Sequence, residues 1–317
     1  GGSELVFTAS PATGSNGNNT QMVAQWTVKV NDKERPELST IANVLKIPSL
    51  AGKTEVTVNF VNYKGFTIQK SGTGYEVTNP IRTPSDTKPD TEIRKNGDLT
   101  FTVGLATDYT TISKLTVNGY DCITGKLIDN KSKPDNCDSV SAVKNSDGTY
   151  AVTVKNITSN IVLNAEAHKV VIGNSLVVPA TLISNPELNE PGKIQAKLEA
   201  NLTGRKDGTA FYDIALMTWD ATESKWIPVN ENNFPANGVD VVLEYPGDTN
   251  EKDTFKIVHM LTTESKAGTV ENVSYTKETD GLHFHVDSLS PFGVSWTKYV
   301  APTPGGGGGG GVVSTYT

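Results

Sequence analysis

Asn145 to Val154 reads NSDGTYAVTV, and this stretch decides the predicted fold. Its first four residues are turn formers, and Asp147-Gly148 is a pair that tight hairpin turns favour. From Thr149 to Val154 the residues alternate in the way that places every second side chain on one face of a strand. The stretch therefore predicts a turn that leads directly into a half-buried β-strand.

The same pattern recurs along the chain, and a second clear copy is DGLHFHV at Asp280 to Val286. Helical patterns are nearly absent, and Asn185 to Ala200 is the one weak candidate for a helix. Val, Thr and turn-forming residues are abundant, while the 317 residues include only three Met. We therefore predict an all-β fold of two or three Ig-like or β-sandwich domains in series. The predicted strands are Glu4 to Ala9, Met22 to Val30, Val44 to Ile47, Glu55 to Val61, Gly65 to Gln69, Tyr75 to Thr78, Leu99 to Val103, Leu115 to Val117, Thr149 to Val154, Asn160 to Ala167, Ala210 to Trp219, Lys225 to Val229, Val239 to Leu243, Thr254 to Leu261, Val273 to Lys277, Leu282 to Asp287 and Val294 to Thr297.

Polar and glycine-rich stretches divide the chain into four predicted regions. Thr83 to Asp90 contains two prolines and no aliphatic or aromatic residue, which is typical of a linker or a long exposed loop. The seven glycines from Gly305 to Gly311 cannot form a core, so they predict a flexible tether. The predicted regions are 1–88, an N-terminal β domain; 89–172, a second β domain; 173–299, a C-terminal β-sandwich domain; and 300–317, the tether and the start of a following module.

Charge and hydropathy exclude two classes of partner. The net charge is −7, and the Lys and Arg residues are scattered rather than grouped into a patch that could neutralise phosphates. No stretch approaches the roughly 18 apolar residues that a membrane-spanning helix needs. We therefore expect neither nucleic-acid binding nor membrane insertion by this segment.

Cys122 and Cys137 are the only cysteines, and they lie fifteen positions apart in a polar stretch. A disulfide between them would close a local loop and add on the order of 3 kcal/mol in the chain-entropy model. We expect this disulfide, which favours an oxidising, extracellular setting. Two free buried thiols are the alternative, and a metal pair is disfavoured because no His or third Cys lies nearby.

Residues 95–167 resemble the bacterial surface repeats in which a short β-strand, a VNG turn and a DGTY-type strand pair follow one another. The matching residues are Leu99 to Val103, Val117-Asn118-Gly119 and Asp147 to Ile161. Further motifs of the C-terminal part are Tyr212 to Met217, Trp226, Asn233 to Ala236, Leu243 to Pro246, Phe255 to Met260 and Leu289 to Trp296. With these motifs, this part is similar to β modules near the wall-anchored ends of large surface proteins of gut Firmicutes.

This resemblance covers about two thirds of the chain, and it implies a location on the bacterial cell surface within a tandem array of modules. Such modules serve as adhesin-like binding heads, as accessory domains or as spacers, so the likeness implies location more strongly than activity. Residues 1–88 carry no motif of the family and are free to form a specialised binding domain.

Aromatic residues are the candidate ligand-binding groups. Trp219 and Trp226 flank Ala221 to Ser224 in a predicted hairpin, which would place the two indoles near each other. Together with Trp26 they could stack on sugar rings. The competing interpretation is that hairpin aromatics cover a sheet face.

Three histidines are weak candidates for a metal site. His283 and His285 lie on one face of a predicted strand, and His259 lies on another strand that could pair with it, so three imidazoles could converge on zinc. The favoured interpretation is that His259 fills a sheet position and that the other two face solvent. Asp248 to Asp253 is rich in oxygen ligands but lacks EF-hand spacing, so we expect a hairpin loop rather than a calcium site.

No catalytic constellation is visible in the sequence. No G-x-S-x-G nucleophile elbow occurs, and both cysteines belong to one predicted loop. We therefore expect a non-enzymatic segment without cofactors, monomeric within a larger chain, that binds a host extracellular protein or glycan such as immunoglobulin or mucin. A carbohydrate-binding accessory module and a passive structural stalk are the alternatives.

Overall fold

The computed structural model describes residues 4–85, 89–263 and 265–301. Within these residues the chain has 24 β-strands and one α-helix, so the prediction of an all-β fold is confirmed. Short 3₁₀ helices occupy Pro36–Leu38, Ile128–Asn130, Ala180–Leu182 and Glu231–Asn233.

Spatial contacts divide the chain into two compact units. The first contains Gly1–Val170 and Leu216–Val239, and the second contains Val171–Ala215 and Asp240–Thr317. Each unit therefore combines two separate segments of the sequence, whereas the sequence predicts domains that simply follow one another.

Residues 5–62 of the first unit form two small antiparallel sheets. β1 pairs with β4, and β2 lies between β3 and β5. Alternate residues of β2 and β4 point into one core, which includes Trp26, Val28, Leu45 and Ile47. This burial follows the period-2 alternation read from the sequence. The strands are β1 Leu5–Thr8, β2 Gln21–Val30, β3 Lys33–Glu34, β4 Val44–Ile47 and β5 Thr54–Asn62.

Residues 65–173 form eleven further strands in a sandwich-like arrangement. One sheet has the order β14-β15-β10-β8, and a second sheet contains β13-β12-β11-β16 with β7 paired in parallel to β16. A separate short pair joins β6 to β9. The strands are β6 Gly65–Phe66, β7 Ile68–Thr73, β8 Tyr75–Thr83, β9 Ile93–Arg94, β10 Asp98–Leu105, β11 Thr111–Val117, β12 Tyr120–Asp121, β13 Lys126–Leu127, β14 Ser139–Lys144, β15 Tyr150–Lys155 and β16 Ile161–Gly173.

Both sheets contribute to one hydrophobic core. Phe101 and Val152 reach it from the first sheet, and Leu115 and Leu163 reach it from the second. The stretch that opened the sequence analysis behaves as predicted, because Gly148 has φ +80° in the turn and β15 alternates buried and half-buried residues. The core therefore depends on the alternation visible in the sequence.

Strand pairing crosses the predicted boundary at residues 88 and 89. β8 pairs with β10, and β7 pairs with β16, although β7 and β8 belong to the predicted N-terminal domain. Strands on both sides of the polar stretch from Thr83 to Asp90 therefore belong to the same sheets, and residues 86–88 of that stretch lie outside the described residues. Composition cannot reveal this pairing, because a linker and an exposed loop are built from the same polar residues.

The second unit contains a sheet and the helix. Residues 208–213 of β17 pair with β24, which also pairs with β20, and β20 pairs with β21. A second sheet has the order β19-β23-β22. The remaining strands of the described residues are β17 Gly208–Asp220, β18 Lys225–Pro228, β19 Val239–Leu243, β20 Thr254–Met260, β21 Val270–Val273, β22 Thr276–Glu278, β23 Gly281–Val286 and β24 Pro291–Thr297. Of these, residues 216–220, β18 and Val239 belong to the first unit.

The single α-helix of the described residues, α1 Pro191–Asn201, overlaps the weakly predicted segment Asn185 to Ala200 and ends one residue beyond it. Pro191 begins the helix, a position that suits proline because its missing N–H has no partner there. Ile194 and Leu198 lie one turn apart and are buried against Val258 and Met260 of β20. Helix α1 therefore covers the sheet of the second unit through a narrow apolar stripe.

Two sequence predictions concern the membrane and the C-terminal tether. In the parts of the chain that the structure describes, no helix is long and apolar enough to span a bilayer. The predicted tether from Gly305 to Gly311 and the residues after it lie outside the described residues.

Candidate functional site

The β17–β18 hairpin forms as predicted and brings two tryptophans together. Trp219 lies directly opposite Trp226, and Asp220 lies opposite Lys225. The Asp220 carboxylate accepts hydrogen bonds from the backbone N–H groups of Thr222 and Glu223, at 2.8 and 3.2 Å. These bonds shape the turn, since an Asp side chain that accepts from residues two and three positions ahead favours chain reversal.

Four side chains make up what we call the aromatic hairpin site: Tyr109, Lys169, Trp219 and Trp226. The two indole rings have centroids 5.6 Å apart and meet at 69°, and Tyr109 meets Trp226 at 4.9 Å and 69°. The ammonium group of Lys169 lies 5.3 Å from the centroid of a Trp226 ring. Both edge-on aromatic pairs and an ammonium over an indole are attractive, because the ring face is electron-rich and the ring edge is electron-poor.

The two indoles differ in exposure. Trp226 is half-buried and contacts Tyr109, Lys169 and Trp219, so the other three side chains of the site pack around it. Trp219 remains 43% exposed, a large fraction for an indole. An exposed indole supported from one side offers a flat apolar surface on which the C–H face of a sugar ring or an apolar side chain can stack.

Trp26 is placed differently and is not part of this site. It is only 4% exposed, and its indole N–H donates to the Ala42 carbonyl oxygen at 2.7 Å. Phe7 packs near it, with ring centroids 6.4 Å apart. The prediction of a ligand-binding role for Trp26 is corrected here, because the indole is enclosed in the core of residues 5–62 and its polar atom is satisfied.

The two cysteines are free thiols in this structure, which is the alternative to the expected disulfide. Cys122 and Cys137 are both buried, and each sulfur has a partner of its own. The Cys122 thiol points to the Tyr120 carbonyl oxygen at 3.9 Å, and the Asn118 amide donates to the Cys137 sulfur at 3.5 Å. Burial, with help from the charge of Asp121, raises the pKa of the Cys122 thiol to about 12. These thiols behave as core residues, since only the thiolate is reactive.

The three candidate zinc ligands do not converge. His259 is fully buried, stacks on Phe292 at 4.3 Å, and has its Nδ1 atom 3.1 Å from the Glu271 carboxylate. His283 and His285 contact separate carboxylates, those of Asp280 at 2.6 Å and Asp240 at 2.9 Å. Among the described residues no group of three or more His, Cys, Asp or Glu side chains could hold a metal ion.

The oxygen-rich loop at Asp248 to Asp253 uses its carboxylates internally. Asp253 accepts hydrogen bonds from the backbone N–H groups of Asn250 at 2.9 Å and Tyr299 at 2.8 Å. Asp248 forms an ion pair with Lys298 at 2.6 Å. The residues form a loop, but the prediction of a hairpin is wrong, because the loop joins β19 and β20, which belong to different sheets.

One buried polar pair was missed by the sequence analysis. The Ser113 hydroxyl lies 2.8 Å from Nδ1 of His168, and a shift of strand register between Ile112 and Lys114 places Ser113 there. The hydroxyl also donates to the Glu166 carbonyl oxygen at 3.1 Å, and its oxygen can at the same time accept from Nδ1 of His168 when that nitrogen carries the ring proton. No local sequence signal reveals the pair, because 55 positions separate the two residues.

No protein-family model, no curated protein and no solved structure matches this chain.

Proposed function

We propose that this chain is a non-catalytic binding segment of a bacterial cell-surface protein, and that it recognises the glycans of a host macromolecule such as mucin or immunoglobulin. The observation that carries the proposal is the exposed face of Trp219 in the aromatic hairpin site. The resemblance of residues 95–167 and of the C-terminal part to surface modules supports the extracellular location.

In the aromatic hairpin site, three side chains support a fourth, Trp219, whose exposed face can contact a ligand. Tyr109 and Lys169 hold the half-buried Trp226, and Trp226 meets Trp219 at 69°. Trp219 therefore has little freedom to collapse onto the protein, and its exposed area stays available. A rigid aromatic surface binds with a small loss of conformational entropy, which is why Trp and Tyr are common at binding sites.

A sugar is the partner that fits this surface best. A pyranose ring has one face of C–H groups that stacks on an indole, and hydroxyl groups at its rim that bond to nearby polar side chains. Asp220, Glu223 and Lys225 are polar residues of the same hairpin. A flat indole with charged neighbours thus matches both parts of a sugar.

The test is a glycan array that carries mucin-type and immunoglobulin-type host glycans beside plant polysaccharides. The wild-type chain should bind host glycans, and Trp219→Ala should weaken binding by about tenfold or more, the effect of removing a central aromatic contact. Phe60→Ala is the matched control, because Phe60 is an aromatic residue of the first unit with a similar exposure of 38%.

The binding of the two variants and the pattern across the array distinguish the hairpin site from the alternatives. Equal loss of binding in Phe60→Ala, or full binding by Trp219→Ala, would move the contact surface away from the hairpin. Binding to plant polysaccharides alone would favour the carbohydrate-binding accessory module, and silence across the array would favour the passive stalk.

A further inference from the structure

The first unit also contains a cleft that shares no residue with the aromatic hairpin site. It has a volume of about 530 Å³, and we call it the basic cleft. Its walls come from β7 and β8, which are edge strands of their two sheets, and from β9 and β10. It is lined by Thr67, Ile68, Lys70, Val77, Pro80, Arg82, Asp90, Thr91, Ile93 and Leu99.

The floor of the basic cleft is apolar. Ile93 and Leu99 are buried at 4% and 1% exposure, and Ile68 and Val77 are half-buried beside the same hydrophobic core. A volume of several hundred Å³ over an apolar floor is typical of sites for small organic ligands.

An irregularity of β8 shapes one wall. The register of β8 against β10 shifts between the pairs Thr100 with Ile81 and Thr102 with Thr78. Asn79, with φ +51°, and Pro80 lie between these pairs where β10 has only Phe101, so β8 has one extra residue. A bulge of this kind bends an edge strand and re-aims its side chains, and Pro80 cannot donate to a neighbouring strand. This part of β8 is thus poorly suited to add another strand, so the cleft is left as a site for a small molecule.

The charges that line the cleft are mostly positive. Lys70 and Arg82 line it from β7 and β8, and within the described ranges neither side chain forms an ion pair or hydrogen bond with another residue. Asp90 supplies the one carboxylate of the described lining. Among the described residues the cleft therefore offers two cations and one carboxylate, in a protein whose net charge is −7.

We infer that the basic cleft binds a small amphiphilic anion, namely an organic carboxylate, sulfate or sulfonate with an apolar body. The apolar body would cover Ile68, Val77, Ile93 and Leu99, and the anionic group would pair with Lys70 and Arg82. Burying the apolar body supplies affinity, and the two cations select a negative head group. This inference does not depend on glycan binding by the aromatic hairpin site.

The probe for the test is 8-anilinonaphthalene-1-sulfonate, whose fluorescence rises when its aromatic body leaves water. N-phenyl-1-naphthylamine has the same aromatic body without the sulfonate and serves as the neutral probe. The wild-type chain should bind one equivalent of the sulfonate, and the double variant Lys70→Gln/Arg82→Gln should weaken this binding by about tenfold, as expected for two partly exposed ion pairs. The affinity for the neutral probe should change less than about twofold.

The control variant is Lys46→Gln/Lys53→Gln, which removes the same charge from exposed positions in residues 5–62. It should bind the sulfonate like the wild type, and so should Trp219→Ala. The variant Arg82→Lys keeps the charge and should retain most of the affinity. Far-UV circular dichroism and the thermal midpoint of each variant separate a lost site from a lost fold.

Methyl NMR spectra locate the bound probe. Shifts at Ile68, Val77, Ile93 and Leu99 on addition of the sulfonate would support the inference. Shifts confined to residues outside the cleft would overturn it. An equal loss of sulfonate binding in both double variants, or unchanged binding in Lys70→Gln/Arg82→Gln, would also overturn it.

Discussion

Trp219 and Trp226 lie directly opposite each other in the β17–β18 hairpin, with ring centroids 5.6 Å apart, yet only Trp219 is strongly exposed. The asymmetry arises because Tyr109 and Lys169 pack on Trp226 alone. Trp226 is therefore a packing residue and Trp219 an exposed one, and substituting each in turn should distinguish the two roles.

Trp226→Ala should lower the free energy of unfolding by about 2 kcal/mol, because it removes a half-buried indole with three neighbours. Trp219→Ala should lower it by only about 0.5 kcal/mol, since most surface substitutions have small effects. Urea unfolding followed by circular dichroism measures both values. A Trp219→Ala variant as unstable as Trp226→Ala would show that Trp219 is a packing residue.

Cys122 and Cys137 should resist alkylation in the folded protein and react fully once it is unfolded. Burial raises the pKa of both thiols, that of Cys122 to about 12, so hardly any thiolate exists near neutral pH. Iodoacetamide labelling with and without urea, followed by intact-mass measurement, gives the number of free thiols. Failure to label in urea without a reductant, and labelling of two thiols after reduction, would restore the disulfide interpretation.

Gly72→Ala should destabilise the protein more than Gly148→Ala, although both glycines have positive φ, +91° and +80°. A Cβ atom at Gly72 would overlap the Ala165 carbonyl oxygen of β16, whereas a Cβ atom at Gly148 meets nothing within 4 Å. We expect a loss of about 1 kcal/mol at Gly148 from backbone strain, and of about 3 kcal/mol at Gly72 from strain and overlap together. Equal losses in urea unfolding would contradict the parallel pairing of β7 with β16.

Because His259 is buried, the free energy of unfolding should decrease as the pH falls below about 6.5, the ordinary pKa of histidine. Burial lowers the pKa of His259 in the folded state, against a smaller opposing effect of the hydrogen bond to Glu271. The unfolded chain therefore takes up the proton first, so this contribution to stability is complete above the unfolded pKa and is lost as the pH falls toward the folded pKa.

The measurement is urea unfolding at pH 7.5 and pH 5.0 for the wild type and for His259→Phe. The difference between the two pH values should be smaller in the variant. His168, whose pKa burial also lowers, contributes in the same direction and accounts for part of the remaining difference. A difference as large in His259→Phe as in the wild type would contradict the assignment to His259.

Local patterns predicted many of the strands closely. β4 has the same bounds in sequence and structure, and the turn at Asp147-Gly148 and the hairpin from Trp219 to Trp226 both form as predicted. These features depend on turn chemistry and on the alternation of neighbouring side chains, which the sequence displays directly.

The candidate site could be predicted in part. The hairpin places Trp219 beside Trp226, so their contact follows from a turn of known length. Tyr109 and Lys169 reach Trp226 from distant positions, and the burial of Trp26 depends on strands that surround it. No periodic pattern in one segment reports which other segment will pack against it.

The amino-acid sequence by itself determined the all-β class, many of the strands and the pairing of the two hairpin tryptophans, because each depends on residues close together in the chain. The tertiary structure alone decided that β7 and β8 pair with strands beyond residue 89, that both cysteines are buried free thiols in this structure, and that Lys70 and Arg82 line one cleft. The physical reason is that pairing between distant strands is selected by the packing of a whole core, and that core is shared by residues far apart in the sequence.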